Sequence, residues 1–147
     1  MNKKGFTIIE IVLVIALIGI LATISLPVYK KTAAHYSLIT AARMIASDIR
    51  LAQQRSITES RSYRLLFNTG SDNYQLLSVS NKSEINYLPK GIKIIRTNFT
   101  DKTVSFLPSG APSQGGRVVI ENKFGGRRYI IVTPATGRVR ISDKPPD

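Results

Sequence analysis

At 147 residues, with a formal net charge of +12 and no cysteine, the chain has room for one modest domain besides a membrane segment, and it can form neither disulfides nor thiolate metal sites. So basic a balance points to polyanions such as nucleic acid, anionic lipid or acidic polysaccharide, or simply to a well-solvated surface. One histidine and scattered carboxylates supply no nucleophile and base pair, so neither an enzyme nor a metal or cofactor site is expected.

The first element opens with Lys3-Lys4-Gly5 and runs apolar from Phe6 to Val28, with Glu10 as its only ionisable side chain. That length meets the roughly 20 residues a helix needs to cross a bilayer core. A carboxylate inside it costs free energy unless a cation meets it, and an amine from a sister helix is the direct candidate. A secretory signal peptide has a shorter apolar region closing in a small-residue cut site, whereas this run closes in Leu26-Pro27-Val28-Tyr29-Lys30-Lys31. A plain single-pass anchor explains the length but neither Glu10 nor Gly5-Phe6. Lysine pairs flank both ends, so charge alone leaves the orientation open.

Pro27 should bend or loosen the helix, because it lacks an N–H and its ring crowds the carbonyl four residues back. Beyond it, Leu38, Ala42, Ile45, Ile49 and Ala52 fall at helical spacing while Arg43, Asp48, Arg50 and Arg55 lie off that stripe. The helix is therefore expected to continue as an amphipathic half over 30–60. His35 stands near the junction without a second ligand close in sequence, and reads as a surface or packing residue.

From Arg61 the pattern changes to short alternating runs. Ser62–Phe67, Tyr74–Val79, Ile92–Ile95, Thr103–Leu107, Arg117–Glu121, Arg128–Val132 and Arg138–Ile141 read as strands, with turns expected at 68–73 and at Phe124-Gly125-Gly126. The glycine-rich loop from Gly110 to Arg117 lacks the Gly-Lys-Ser/Thr ending that cradles phosphate in nucleotide-binding loops. The tail from Ser142 should fray. The expected fold class is α+β, a long N-terminal helix packed against an antiparallel sheet. Its expected segments are 1–5, 6–29, 30–60 and 61–147.

Gly5, Phe6 and Glu10, set between a basic leader and a membrane-length helix, resemble the type IV pilins and the pseudopilins of type II secretion. The resemblance implies a pilin fold and a membrane-bound precursor. Prepilin peptidase would cut between Gly5 and Phe6 on the cytoplasmic side and methylate the new amine of Phe6. Segment 1–5 becomes a cleaved leader, 6–29 the transmembrane and assembly helix, and Glu10 the assembly carboxylate. The implied location is a single pass through the bacterial inner membrane, the globular part outside the cytoplasm, then a periplasmic or extracellular filament with other pilins.

Gln53-Gln54-Arg55-Ser56-Ile57, Phe106-Leu107-Pro108-Ser109-Gly110 and Gly137-Arg138-Val139-Arg140 are similar to the minor pseudopilin H and FimT class. In FimT-like pilins a Gly-Arg-x-Arg element near the C terminus is associated with DNA capture. Strand alternation would send Arg138 and Arg140 out together, with Arg127, Arg128, Arg117 and Lys123 on the preceding hairpin widening the patch. Alternating arginines also protect an edge strand from pairing with other chains, and that reading stands beside the first. Without Lys3 and Lys4 the side chains sum to +10, and setting Glu10 aside leaves +11.

Overall fold

A computed structural model describes residues 5–78 and 83–145. Lys3, Lys4, Val79 and the end of the expected tail, 146–147, lie outside the described residues. One helix, α1 (Ile8–Thr58), precedes eight strands: β1 (Tyr63–Phe67), β2 (Asn73–Ser78), β3 (Ser83–Tyr87), β4 (Ile92–Thr97), β5 (Thr103–Phe106), β6 (Gly116–Asn122), β7 (Arg127–Val132) and β8 (Val139–Ser142). By compactness the chain divides at Ala34 into two units.

In the first unit the large apolar residues are exposed, both Phe6 ahead of α1 and those of α1 from Ile8 onward. The helix contains a stretch apolar enough, by length and composition, to cross a membrane. Pro27 stays inside α1, leaving the Thr23 carbonyl without its usual donor four residues on. The hydroxyls of Thr23 and Ser25 donate to the carbonyls of Gly19 and Leu21, at 2.7 and 2.9 Å, and so satisfy themselves without solvent.

The second unit, Ala34–Asp147, is built on the other half of α1. Leu38, Ala42, Ile45, Ile49 and Ala52 are buried, together with Ala34, Ala41 and Ala46. The alanines keep this face thin, so the strands can approach closely, while each buried Leu or Ile contributes roughly 1.5–3 kcal/mol. The helix ends as Ser60 takes φ 50, the left-handed conformation that stops a helix and which glycine more often supplies.

Two antiparallel four-stranded sheets share this core, in the orders β3-β2-β1-β5 and β4-β6-β7-β8. The first contributes Tyr63, Leu65, Phe67, Tyr74, Leu76, Val104 and Phe106; the second contributes Ile92, Ile94, Val118, Ile120, Ile130, Val132 and Val139. The Phe67 and Phe99 rings stack at 6.0 Å. Asp48, half-buried on α1, accepts hydrogen bonds from the Tyr74 hydroxyl and, at 3.1 Å, from the Asn86 amide, tying the helix to β2 and β3. The turn after β1 covers the free edge of β4: Gly70 N–H donates to the Ile94 carbonyl at 2.7 Å, and Ile94 N–H to the Ser71 carbonyl at 2.9 Å.

Candidate functional site

The residues singled out by sequence fall into two groups, one in each unit. At the start of α1, Thr7 and Glu10 form a reciprocal cap. Thr7 N–H and its hydroxyl donate to Glu10 Oε2 at 3.1 and 3.2 Å, and Glu10 N–H donates to Thr7 Oγ1 at 3.3 Å. This is the Thr-x-x-Glu arrangement that satisfies orphan donors of a first turn. A negative group here also favours the positive end of the helix dipole. Phe6, Glu10, Ile11, Val14 and Ile15 line an open apolar groove. Among the described residues, apart from its chain neighbours, no atom lies within 4 Å of where a Gly5 side chain would begin. Thr7 was not singled out by sequence reasoning, although its spacing from Glu10 is the signal that finds it.

In the second unit, strand register sorts the basic residues. Arg140 on β8 pairs with Ile131, and Ile131 with Arg117 on β6, so both arginines stand on one face of the second sheet, either side of Ile131. They are separated by two strand spacings, roughly 10 Å. Asn98 fixes Arg117 on the far side: Asn98 N–H donates to the Arg117 carbonyl at 3.2 Å, and Arg117 N–H to Asn98 Oδ1 at 2.6 Å. Arg138 is exposed but precedes β8, in the turn where Thr133 N–H donates to its carbonyl at 3.0 Å.

The remaining candidates are placed differently. Arg127 shares the face but is hydrogen-bonded to Glu121 at 2.5 Å, which raises its pKa through that bond and the carboxylate's charge. Arg128 pairs with Ile120 and so lies on the core-facing side, with Asp143 at 3.7 Å. Lys123 sits in the β6–β7 turn, its ammonium 5.3 Å from the centre of the Phe124 ring. His35 is exposed, its ring edge-on to Tyr36 at 6.2 Å.

Gly137 is held by the helix. Gln53 donates to the carbonyls of Gly110 and Thr136 at 2.9 and 3.1 Å, and Arg50 Nη2 donates to the Val139 carbonyl at 3.3 Å. The end of α1 thereby gathers the two short sequence elements that contain Gly110 and Gly137, and fixes where β8 begins. Gln53 had no role assigned from sequence.

A family model described as Type II transport protein GspH matches residues 41–137. The chain belongs to the GspH family. A second model, the Prokaryotic N-terminal methylation motif, matches residues 1–26. This GspH-family chain is 31% identical to competence protein ComGD of Bacillus subtilis (strain 168), over 97% of this chain and 96% of that protein. It is 29% identical to a fimbrial protein of Pseudomonas aeruginosa, over 84% and 82%. Among solved structures, the minor pseudopilin EpsH from the type 2 secretion system of Vibrio cholerae superposes with TM-score 0.60 at 11% identity, over 72% of this chain and 96% of that one. The minor pilin FimU of Pseudomonas aeruginosa gives 0.58 at 12%, over 74% and 90%. At such identities the superpositions show the fold, α+β and pilin-like.

The GspH-family chain is accordingly a minor pilin or pseudopilin of a type II secretion, type IV pilus or competence system. Its family consists of structural components that assemble with other pilins. The methylation motif and the apolar helix point to membrane anchoring.

Proposed function

We propose that this protein is made as a precursor in the inner membrane, with its first five residues cytoplasmic. Prepilin peptidase cuts it between Gly5 and Phe6 and methylates the freed amine, after which it enters a secretion or pilus filament through Glu10. The single observation that carries this is Glu10 itself, the lone ionisable side chain from Phe6 to Val28. In lipid or among sister helices its charge costs free energy until an ammonium meets it, and their attraction strengthens as solvent leaves.

Thr7 gives that mechanism a waiting state, since its two donors hold the carboxylate in place at the helix start. The Phe6 amine, its own or a neighbour's, then replaces a neutral partner with a charged one, and the pairing sets the axial stagger between helices. Glu10→Ala should leave membrane insertion unchanged and lower recovery in a filament pull-down by more than about tenfold, as expected when one partner of a desolvated pair is lost. Filaments that incorporate Glu10→Ala as well as wild type would overturn the mechanism.

A second reading, DNA capture, is favoured by the exposure of Arg138 and Arg140 and by the similarity to a competence protein. Phosphate contact by paired guanidiniums needs no base-reading element and should weaken steeply with salt. Arg138→Gln with Arg140→Gln should reduce DNA retention in a gel-shift titration. Equal retention by wild type and the double variant would remove this reading.

A further inference from the structure

An open recess of about 340 Å³ lies at one end of the second sheet, lined by Gly91, Lys93, Ile95, Glu121, Lys123 and Gly125. Glu121, the only acid among them and the cross-strand partner of Lys93, is hydrogen-bonded to Arg127. That pair cancels, and Lys93 and Lys123 leave the recess cationic. The stem of Lys123 passes over Gly91, where a Cβ would lie 3.8 Å from its Cδ, and its ammonium stands 5.3 Å from the centre of the Phe124 ring. Phe124 and Ile95 are both exposed. Exposed apolar side chains rimmed by lysine heads make up the kind of surface that rests at the boundary of lipid headgroups and acyl chains.

The position of the recess bears on what it meets. Asn122, at the root of the β6–β7 turn, donates to the Ala34 carbonyl at 3.3 Å and accepts from Phe124 and Gly126 N–H. The turn is thereby fixed to the first residue of the second unit. Ala34 follows Val28, the end of the apolar run, by six residues, which span at most roughly 20 Å by any path. The headgroup layer itself reaches roughly 5–8 Å beyond the hydrocarbon. A helix anchored through its apolar run therefore keeps this turn within reach of the bilayer surface. The turn at Gly137 belongs to the other end of the unit: Gln53, which binds the Thr136 carbonyl, lies 19 residues along α1 from Ala34, or about 28 Å.

We infer that the β6–β7 turn and the start of β4 form a docking surface for anionic lipid headgroups of the bilayer that holds the chain's own apolar helix. Lys93 and Lys123 meet headgroup phosphates, and Phe124 and Ile95 enter the boundary beneath them. This rests on the membrane anchoring drawn above from the apolar helix, and adds a contact made by the folded unit. Lysine meets phosphate as a compact point charge without a fixed geometry, which suits a fluid surface of mobile headgroups. Two such lysines hold the unit weakly enough to let go when the subunit leaves the membrane.

The test uses the full-length chain in vesicles. Because the chain has no cysteine, Lys90→Cys and Ala135→Cys each place a single fluorophore, at an exposed position beside the recess or at one in the turn before Gly137. Lipids carrying a nitroxide on the headgroup then report which end touches the surface. In vesicles of phosphatidylcholine with phosphatidylglycerol the fluorophore at 90 should be quenched and that at 135 should not. Salt at about 1 M, or phosphatidylcholine alone, should abolish the difference. Lys93→Gln and Lys123→Gln should each lower the docked-to-free ratio about fivefold, Phe124→Ser should lower it several-fold, and Lys93→Arg and Lys123→Arg should keep it. A chain that floats with the vesicles yet shows no more quenching at 90 than at 135, or quenching indifferent to both lysines and to lipid charge, refutes the docking surface and leaves the anchoring intact. A chain that does not float with the vesicles refutes the anchoring, and the docking with it.

Discussion

At the scale of single residues, Gly137 shows why a motif glycine need not belong to the ligand. Its φ is +67, and a Cβ placed there would lie 2.6 Å from Gln53 Nε2 and 3.2 Å from the Phe106 ring. Gly137→Ala should therefore cost about 1–3 kcal/mol, combining left-handed backbone strain with overpacking, read as a lowered denaturation midpoint. Gln53→Ala should lose the two carbonyl contacts while leaving the backbone unstrained, and cost about 1–2 kcal/mol. Chemical denaturation of both variants separates backbone conformation from hydrogen bonding in the same turn. The exposure of Arg140 beside buried Val139 was legible from alternation, whereas Arg138 lies just before the strand. The packing of the motif's glycine was not legible, because Gln53 lies 84 positions away along the chain.

At the scale of elements, α1 was readable because its signals repeat: an uninterrupted apolar stretch, then a stripe whose members are the buried ones. Seven strands were readable because buried and exposed positions alternate, as in Tyr63, Leu65 and Phe67 on β1. β3 was missed for a physical reason. Its residues, Ser83-Glu84-Ile85-Asn86-Tyr87, hold only two apolar side chains, Ile85 and Tyr87, and both are exposed while Asn86 is half-buried, so pairing to β2 rather than a buried apolar face defines the strand. The division into two sheets was equally hidden, since alternation reports which side of a strand is buried and not which neighbour it pairs with. Asn122 is the element-level prediction. Nearly buried at the end of β6, it donates to the Ala34 carbonyl at 3.3 Å and accepts from Phe124 and Gly126 N–H at 3.0 and 2.8 Å. Asn122→Ala orphans all three groups and should cost about 2–4 kcal/mol. Asn122→Asp keeps an acceptor for the Phe124 and Gly126 N–H groups but loses the donor to Ala34, so its midpoint in a thermal melt should fall between those of wild type and the alanine variant.

At the scale of the whole molecule, the cohesion of the second unit depends on how its helix is tied to each sheet. The tie to the first sheet is polar: Tyr74 on β2 and Asn86 on β3 both donate to Asp48 on α1. Burial pushes the Tyr74 phenol well above its ordinary pKa of 10.0, and the hydrogen bond to Asp48 and that carboxylate's charge push it the same way. The sign of the linkage follows. Below about pH 10 the phenol is protonated in both folded and unfolded chains, and its full contribution is present. Above that, only the unfolded chain releases the proton, so stability falls as pH rises, at up to about 1.4 kcal/mol per pH unit from this one group. Thermal melts between about pH 9 and about pH 12 should show a decline that is shallower in Tyr74→Phe, because phenylalanine has no proton to release. The same variant should lose about 1–2 kcal/mol at neutral pH, where its hydrogen bond to Asp48 is missing. Parallel pH profiles for the two proteins would mean that Tyr74 ionises as readily in the folded chain as in the unfolded one, and that the junction of helix and first sheet is open to water.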